Sequence, residues 1–373
     1  MRAIVLRCGL GVGGLQGAKK RLRFCRATPS FGHISHKISL GDVRPQIASA
    51  FGTKVAVTKS VLPILRGLSL YHLVIHEGCF REPHWHANAD EVGYCLRGEA
   101  VVTIFASGNV HAQFTISGGE MFFVPSGSLH SIENTGSGDV EMVITFSHEE
   151  VEDFGLSGFV GCLSEAVMGN TWGLAESELA GLNRSPKSIE FGKTTAPADI
   201  PESASYPSPF KFPIEKRTPL ITNEDGSAIV ARRDTWPALR AQAMYSLRLH
   251  GIGMREPHWH PETAELGYVL AGHARMTVQS PDSTFETYEL HPGDVYFIPR
   301  AYPHHIENLD GTEVRFLIFF DTPDVQDIGL TGAIPALPSR LVGPTLGIGA
   351  AEVAKIPRLP ADLLVVNRVN PLD

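Results

Sequence analysis

The chain has 373 residues, a formal net charge of −8 and 43% apolar residues. This length suffices for two domains of ordinary size, and the acidic balance predicts neither a nucleic acid nor an anionic membrane as a partner. No apolar run approaches the roughly 20 residues that cross a bilayer. The five cysteines show no CxxC pairing, so we expect a reducing compartment rather than a disulfide framework.

The start of the chain differs in charge from the rest. Residues 1–41 carry eight Lys or Arg residues and no Asp or Glu. We assign residues 1–33 as a basic leader or tail. An Arg-rich, acid-poor start is typical of a mitochondrial leader, while a disordered tail or an early start codon are the alternatives. We expect a cytoplasmic protein, with a mitochondrial location as the alternative, because the apolar start is a poor secretory signal.

Short β-type segments follow, separated by Gly, Pro, Asn and Asp. The clearest are rich in β-branched and aromatic residues, and they span 100–105, 113–117, 121–124, 274–278 and 295–298. This pattern predicts an antiparallel sandwich or barrel. Helical periodicity is weak except near 175–182 and 350–355, where we expect short helices that flank the barrels.

One pattern occurs twice, at an offset of 174 residues and without a gap. Gly52 pairs with Gly226, for example, and Tyr71 with Tyr245. A match of this length indicates two copies of one domain. We place the first copy at 34–183, a Pro-rich linker at 184–207, and the second copy with a C-terminal tail at 208–373.

Each copy carries three histidines and one glutamate at fixed spacing. The sets are His84, His86, Glu91 and His130, then His258, His260, Glu265 and His304. Two histidines two residues apart point to the same face of a strand, and a turn would return the glutamate to that face. Such a set suits Mn²⁺, Fe²⁺, Co²⁺, Ni²⁺ or Zn²⁺ and leaves positions open, which is typical of a catalytic metal site.

The surrounding glycines and prolines carry a resemblance. The two patterns of the first copy are Gly78-(x5)-His84-x-His86-(x4)-Glu91-(x6)-Gly98 and Gly119-(x5)-Pro125-x-Gly127-(x2)-His130-(x3)-Asn134. They are similar to the two cupin motifs, and the second copy departs only at Ala301, a turn position. The chain therefore resembles a bicupin, which implies an all-β fold of two tandem jelly-roll barrels with short flanking helices.

Among bicupins the chain resembles the oxalate decarboxylase group, which has Arg-x-x-His-Trp-His in the first motif. Arg81 and Arg255 match that arginine. The resemblance implies Mn²⁺ at both sites, dioxygen as a participant, oxalate as the substrate, and a trimer or hexamer. An arginine fork suits the carboxylates of a small dianion. The alternative is that Arg81 pairs with Glu91 and orients it.

The group's proton donor is the glutamate of a Ser-Glu-Asn-Ser-Thr segment, which this chain lacks. The corresponding stretch offers Glu149, Glu150, Glu152 and Asp153 as candidates. Asp153 recurs as Asp327 in the second copy, and an Asp before Gly favours a turn-capping role.

Three functions follow from these observations. The first is decarboxylation of oxalate to formate and CO2. The second is oxalate oxidation, or another dioxygenase or isomerase reaction on a small carboxylic acid. The third is a non-catalytic metal- or ligand-binding bicupin, or a storage protein, although storage bicupins commonly lack the metal ligands. The N-terminal site is our choice as the catalytic one by analogy alone.

Overall fold

The computed structural model describes residues 35–196, 200–359 and 362–372, together with the backbone of residues 4–6. The predicted basic leader therefore lies outside the described residues, apart from the strand Ile4–Leu6, whose backbone pairs with residues 285–287. Within the described ranges, no helix has the length and apolar character needed to span a bilayer.

The N-terminal copy is built from two antiparallel sheets. The first contains, in spatial order, Lys211–Phe212, Met121–Val124, Glu91–Arg97, Val140–Phe146, Ser69–Ile75, Gly52–Val57 and Ile47–Ala48. The second contains Asp153–Gly155, Cys79–His86, Leu129–Asn134, Glu99–Ala106 and Val110–Ser117, with Phe191–Lys193 beside Cys79–His86. The sheets face each other across a buried apolar interior.

The C-terminal copy repeats this arrangement. Its first sheet contains Ile221–Asn223, Gly226–Ala231, Ala243–Leu249, Val314–Phe320, Glu265–Ala271, Asp294–Ile298 and Lys37–Ser39. Its second contains Ile4–Leu6, Phe285–Leu290, Ala274–Gln279, His304–Asn308, Gly253–Trp259 and Ile328–Gly329, with Val365–Asn367 beside Gly253–Trp259. The predicted all-β fold of two tandem barrels is confirmed, and the predicted strand segments all lie within observed strands.

Short helices follow each barrel. The α-helices are Leu156–Gly161, Glu165–Trp172, Leu330–Ala336, Ser339–Leu346 and Ala350–Val353, and the 3₁₀ helices are Leu40–Asp42, Glu176–Leu179, Glu202–Ser205 and Ile214–Lys216. The expected helices near 175–182 and 350–355 are present in shortened form. The helices before them were not predicted, because internal Gly and Pro residues such as Pro335 and Pro344 weaken the helical pattern.

The two copies exchange one short strand with each other. Lys37–Ser39 pairs with the edge of the C-terminal barrel at residues 294–296, and Lys211–Phe212 pairs with the N-terminal barrel at residues 121–122. Lys37 and Lys211 are themselves repeat partners. Each exchanged strand thus lies in one predicted domain, 34–183 or 208–373, and pairs with the barrel of the other. The domain boundaries stay a prediction.

A shared core joins the two barrels. Trp236 of the C-terminal copy is 4% exposed and stacks on Phe212 of the exchanged strand, with ring centroids 5.2 Å apart. Its ring also meets the edge of Phe123 in the N-terminal barrel, and its indole N–H donates to the Pro209 carbonyl at 2.7 Å. One apolar cluster therefore contains residues of both copies, and burial of this surface stabilises their association.

Candidate metal centres

The first centre lies inside the N-terminal barrel at the end of the strand Cys79–His86. His84 and His86 alternate with outward-facing residues on this strand, so both rings enter the interior. Glu91 begins the strand Glu91–Arg97, and His130 sits directly opposite His84 on the neighbouring strand. All four side chains are at most 3% exposed, and their ligand atoms lie within 4.8 Å of one another.

Hydrogen bonds to the backbone orient two of the rings. His84 Nδ1 lies 2.7 Å from the Glu82 carbonyl, and His130 Nδ1 lies 2.9 Å from the Ser128 carbonyl. A carbonyl only accepts, so Nδ1 carries the proton in each ring and Nε2 presents a lone pair to the cluster. Burial, reinforced by Arg81, lowers the pKa of His84 well below its usual range. A neutral imidazole is the form that binds a metal.

The second centre reproduces this geometry. His258, His260, Glu265 and His304 are at most 3% exposed and also bring their ligand atoms within 4.8 Å. His258 and His304 donate through Nδ1 to the carbonyls of Glu256 and Tyr302, at 2.7 and 2.9 Å. The described part of the chain therefore contains two buried metal-binding sites of three histidines and one glutamate, one per barrel.

The carboxylate of each set is held ionised. Burial alone would raise the pKa of Glu91, but contacts with His130 and His86 lower it to about 2. Glu91 Oε2 lies 2.8 Å from His86 Nε2 and 3.1 Å from His130 Nε2. Once their Nε2 atoms are deprotonated, three imidazoles and one carboxylate on a buried wall fit a divalent ion that tolerates mixed N/O ligands.

The metal-binding carboxylates of Glu91 and Glu265 differ in the hydrogen bonding of their Oε1 atoms. Glu265 Oε1 accepts a hydrogen bond from the Tyr296 hydroxyl at 2.7 Å. The repeat partner of Tyr296 is Phe122, and Glu91 Oε1 is buried without a hydrogen-bond partner among the described residues. Both rings lie over a glycine, Gly267 or Gly93, where an added Cβ would come within 2.1 Å of the ring. The rings thus occupy matching places, and only the C-terminal one fixes its metal-binding carboxylate.

Tyr296→Phe is therefore expected to weaken metal retention at the C-terminal centre about tenfold, the lower end of the range for an outer partner of a ligand. Phe122→Tyr should slow metal loss at the N-terminal centre. Chelator-induced release of Mn²⁺, followed by electron paramagnetic resonance of the freed ion, separates the two centres as two phases. Unchanged release from both variants would show that the tyrosine does not restrain Glu265.

Arg81 lies on the strand of His84 and is 4% exposed. Its Nη1 lies 3.1 Å from Glu190 Oε2 and donates to the Glu190 carbonyl, and its Nη2 lies 3.8 Å from Asp153 Oδ2. Its carboxylate contacts are thus with Glu190 and Asp153, rather than with Glu91. In the second barrel Arg255 Nη2 lies 2.5 Å from Asp327 Oδ1. A substrate-binding role for both arginines stays a prediction.

Three of the four candidate proton donors lie at or near the protein surface. Glu149 accepts from the Gly67 amide at 2.9 Å, and Glu150 accepts from the Ser60 amide at 2.6 Å. Glu152 is exposed. None of these three carboxylates belongs to the two buried ligand sets. Glu149 and Glu150 instead hold the loop around residues 60–67.

Asp153 is the candidate that reaches the centre. Its Oδ1 lies 2.5 Å from His86 Nδ1, on the side of the ring away from the cluster. The turn-capping interpretation is corrected here: Asp153 pairs with His86 within a strand, and Asp327 likewise lies 3.2 Å from His260 Nδ1. Burial raises the pKa of Asp153, but His86, Lys54 and Arg81 together hold it well below its usual range. Asp153 is therefore an anion, and it orients the metal ligand His86.

Lys54 and Glu190 were missed by sequence reasoning. Lys54 Nζ lies 3.0 Å from Glu190 Oε2 and 3.3 Å from Asp153 Oδ2. Their repeat partners are Ala228 and Leu364, so the alignment of the copies contained the signal. The repeat itself does not mark these two residues, because charged residues in one copy only do not form a repeated motif.

A third group of potential ligands lies at the surface of the C-terminal barrel. His273 Nε2 is 3.3 Å and His291 Nε2 is 3.7 Å from Glu289 Oε2. The two rings stack nearly parallel, at 17° with centroids 4.4 Å apart. Because the lone pairs lie in the ring planes, two parallel rings do not converge on one ion, and this group is unlike the two buried centres.

Comparison with known proteins agrees with this geometry. The Cupin family profile matches residues 38–180 and 212–354. Oxalate decarboxylase OxdC of Bacillus subtilis is 28% identical over 325 residues, covering 84% of this chain and 82% of that protein. A probable oxalate decarboxylase of Arthroderma benhamiae is 24% identical over 301 residues, covering 76% of this chain and 72% of that protein.

Solved structures show the same similarity. A structure of the Bacillus subtilis oxalate decarboxylase superposes with a TM-score of 0.81 at 26% identity, covering 91% of this chain and 89% of that one. The Bacillus enzyme has Mn(II) centres. Two matches to one family profile, on two barrels that each hold a His₃Glu set, show that this chain belongs to the cupin family and carries two cupin domains.

Proposed function

We propose that this protein decarboxylates oxalate to formate and CO2. The observation that carries the proposal is a buried arginine beside a buried His₃Glu set, in a chain that is homologous over most of its length to oxalate decarboxylases. A metal ion and a guanidinium on the same buried wall suit a small dicarboxylate, since each neutralises one negative charge.

We assign Mn²⁺ to both centres, with Fe, Co, Ni or Zn as alternatives, and dioxygen as the co-reactant. Support comes from the mixed N/O ligand sets and from the Mn(II) centres of the Bacillus relative. Bound Mn²⁺ supplies a Lewis acid for a carboxylate oxygen and a one-electron partner for dioxygen. The ligands would be the four residues of each set.

The chain's own residues prepare the pocket for that chemistry. His84 and His130 keep Nε2 directed inwards through their backbone hydrogen bonds. Asp153 contacts both His86 and Arg81, so it couples the position of a ligand to the position of the arginine. Because the wall is buried, charges inside it interact more strongly than they would in water. Arg81 is thereby preorganised to bind and orient a carboxylate of the substrate.

Decarboxylation also consumes one proton. The C–C bond of oxalate breaks, CO2 leaves, and the carbon that becomes formate takes up a proton. Glu149 and Glu150 hold the surface loop and Asp153 is held as an anion, so none of them is placed as a ready acid at the metal ligands. Glu190 lies beside Arg81, with its Oε2 3.1 Å from the Arg81 Nη1.

Because Glu149, Glu150 and Asp153 are not placed to protonate carbon, oxalate oxidation is a second candidate. Oxidation to CO2 with reduction of dioxygen to peroxide needs no proton on carbon. The test incubates Mn-loaded protein with oxalate at mildly acid pH, with and without dioxygen, and measures formate, CO2 and peroxide together. Formate with CO2 supports decarboxylation, and peroxide without formate supports oxidation. Neither product at full metal occupancy would reject both and favour another small acid, or binding without turnover.

Assembly and location remain proposals. We propose a homo-oligomer, a trimer or hexamer, on the basis of the family resemblance. We also propose a cytoplasmic protein, with a mitochondrial location as the alternative. Sedimentation analysis and microscopy of the tagged full chain test these two proposals.

A further inference from the structure

The two metal centres have the same ligands, but different side chains surround them. In the C-terminal barrel, a small cavity beside the ligands is lined by Ala228, Tyr245, Leu247, Arg255 and Leu364. Apart from Arg255 and the tyrosine hydroxyl, this wall is apolar. Arg255 is already engaged, with Nη2 2.5 Å from Asp327 Oδ1 and Nη1 donating to the Leu364 carbonyl at 3.0 Å.

A shift of 174 residues places Lys54 where the second pocket has Ala228, and Glu190 where it has Leu364. The backbone at the second of these positions is held in the same way in both barrels. The amide of Glu190 donates to Glu82 and that of Leu364 donates to Glu256, and both residues have a left-handed φ near 60°. The difference between the pockets therefore lies in the side chains.

Lys54 and Glu190, which have no charged counterparts in the C-terminal barrel, form one ion network with Arg81. Lys54 is 8% exposed and Glu190 is 20% exposed at the side chain. Glu190 Oε2 lies 3.0 Å from Lys54 Nζ and 3.1 Å from Arg81 Nη1, so one carboxylate oxygen engages two cations. Lys54 Nζ also lies 3.3 Å from Asp153 Oδ2. Glu190 and Asp153 together neutralise this two-cation wall.

The C-terminal barrel adopts the same fold without this network. Taking a lysine and a glutamate out of water costs free energy that their mutual attraction offsets only in good geometry, and apolar replacements commonly leave a fold as stable. The C-terminal barrel shows such a replacement, since Ala228 and Leu364 occupy the same positions within the same fold. The charged pair is therefore better explained by a ligand than by stability.

We propose that Lys54 and Glu190 form a dicarboxylate subsite that only the N-terminal pocket possesses. Glu190 engages Lys54 and Arg81 through a carboxylate, and an incoming substrate carboxylate is the same chemical group. A dicarboxylate bound at the metal ligands with one end displaces Glu190 and places its other end on Lys54 and Arg81. This inference rests on the proposed function for the identity of the acid, oxalate. The C-terminal pocket has one cation in place of two and selects a smaller or singly charged ligand.

The test measures binding without turnover. Mn-loaded protein is titrated with oxalate and, separately, with formate by isothermal calorimetry in the absence of dioxygen. The variant Lys54→Ala/Glu190→Leu gives the N-terminal pocket the wall of the C-terminal one. Loss of a charge-assisted contact is expected to weaken oxalate binding about tenfold or more, while formate affinity changes less than about threefold because a monocarboxylate does not need the second cation. Equal changes for the two anions, or none, would overturn the subsite.

The reciprocal variant repeats the test in the other barrel, which guards against misfolding of the first. Ala228→Lys/Leu364→Glu is expected to add a second oxalate per chain, and wild-type stoichiometry would overturn the proposal. Thermal unfolding of each variant establishes that it is folded. Oxalate that binds to wild type without yielding formate, CO2 or peroxide would reject the proposed function and leave the subsite intact. Turnover with unchanged affinity in Lys54→Ala/Glu190→Leu would reject the subsite alone.

Discussion

His130→Ala is expected to lower oxalate turnover at least about a thousandfold, whereas His304→Ala is expected to retain most of it. Each change removes one of four ligands, so Mn²⁺ content should fall from two ions per chain towards one in either variant. The N-terminal centre should dominate turnover because its pocket alone carries Lys54 and Glu190. Loss of metal-based charge stabilisation, worth several kcal/mol in the transition state, accounts for the size of the effect.

The two histidines are repeat partners with nearly identical burial, 1% and 2%, which makes them matched controls for each other. Metal content by mass spectrometry and steady-state rates are measured on the same samples. Turnover that survives His130→Ala and disappears in His304→Ala would move catalysis to the C-terminal centre. Equal loss in both variants would mean that the two centres act together.

Trp236→Ala is expected to lower the free energy of unfolding by roughly 3–5 kcal/mol, the usual cost of truncating a buried tryptophan. The indole fills the junction between the barrels and donates to the Pro209 carbonyl, so its removal leaves both a cavity and an unpaired acceptor. Trp172→Ala is the control, because that side chain is 53% exposed and should cost less than about 0.5 kcal/mol. The measurement is denaturant unfolding of the two variants and wild type.

Because Trp236 contacts side chains of both copies, its loss should weaken the entire molecule rather than one barrel. A shift of the unfolding curve for the C-terminal barrel alone, with the N-terminal one unchanged, would contradict a shared core. Similar small effects in both variants would show that the junction contributes little to stability. Two separable transitions in wild type would already indicate that the barrels unfold independently.

The sequence predicts the metal-binding geometry well because that geometry is local and repeated. His84 and His86 share a strand, so a spacing of two residues is enough to direct both rings inwards. Glu91 returns on the following strand after a connection of four residues, 87–90, and this spacing can also be read from the sequence. Repetition at an offset of 174 then separates ligands from incidental histidines such as His273.

Sequence reasoning fails where a contact joins distant segments in one copy only. Tyr296 meets Glu265 across neighbouring strands, and its partner Phe122 has no hydroxyl, so no pattern marks either residue. Glu190 reaches Arg81 from 109 residues away. The glycine two residues after Asp153 favours a turn, but the role of Asp153 comes from its pairing with the strand of His86. Local propensity carries no information about such partners.

The exchanged strands have a consequence for synthesis on the ribosome. Lys37–Ser39 emerges early, yet its pairing partner at residues 294–296 is made much later. The N-terminal barrel in turn waits for Lys211–Phe212 before its sheet edge at residues 121–122 is covered. An edge that stays open during synthesis is a template for pairing with another nascent chain. Neighbouring ribosomes on one message would therefore favour strand exchange between chains, and slower elongation after residue 212 would favour closure within one chain.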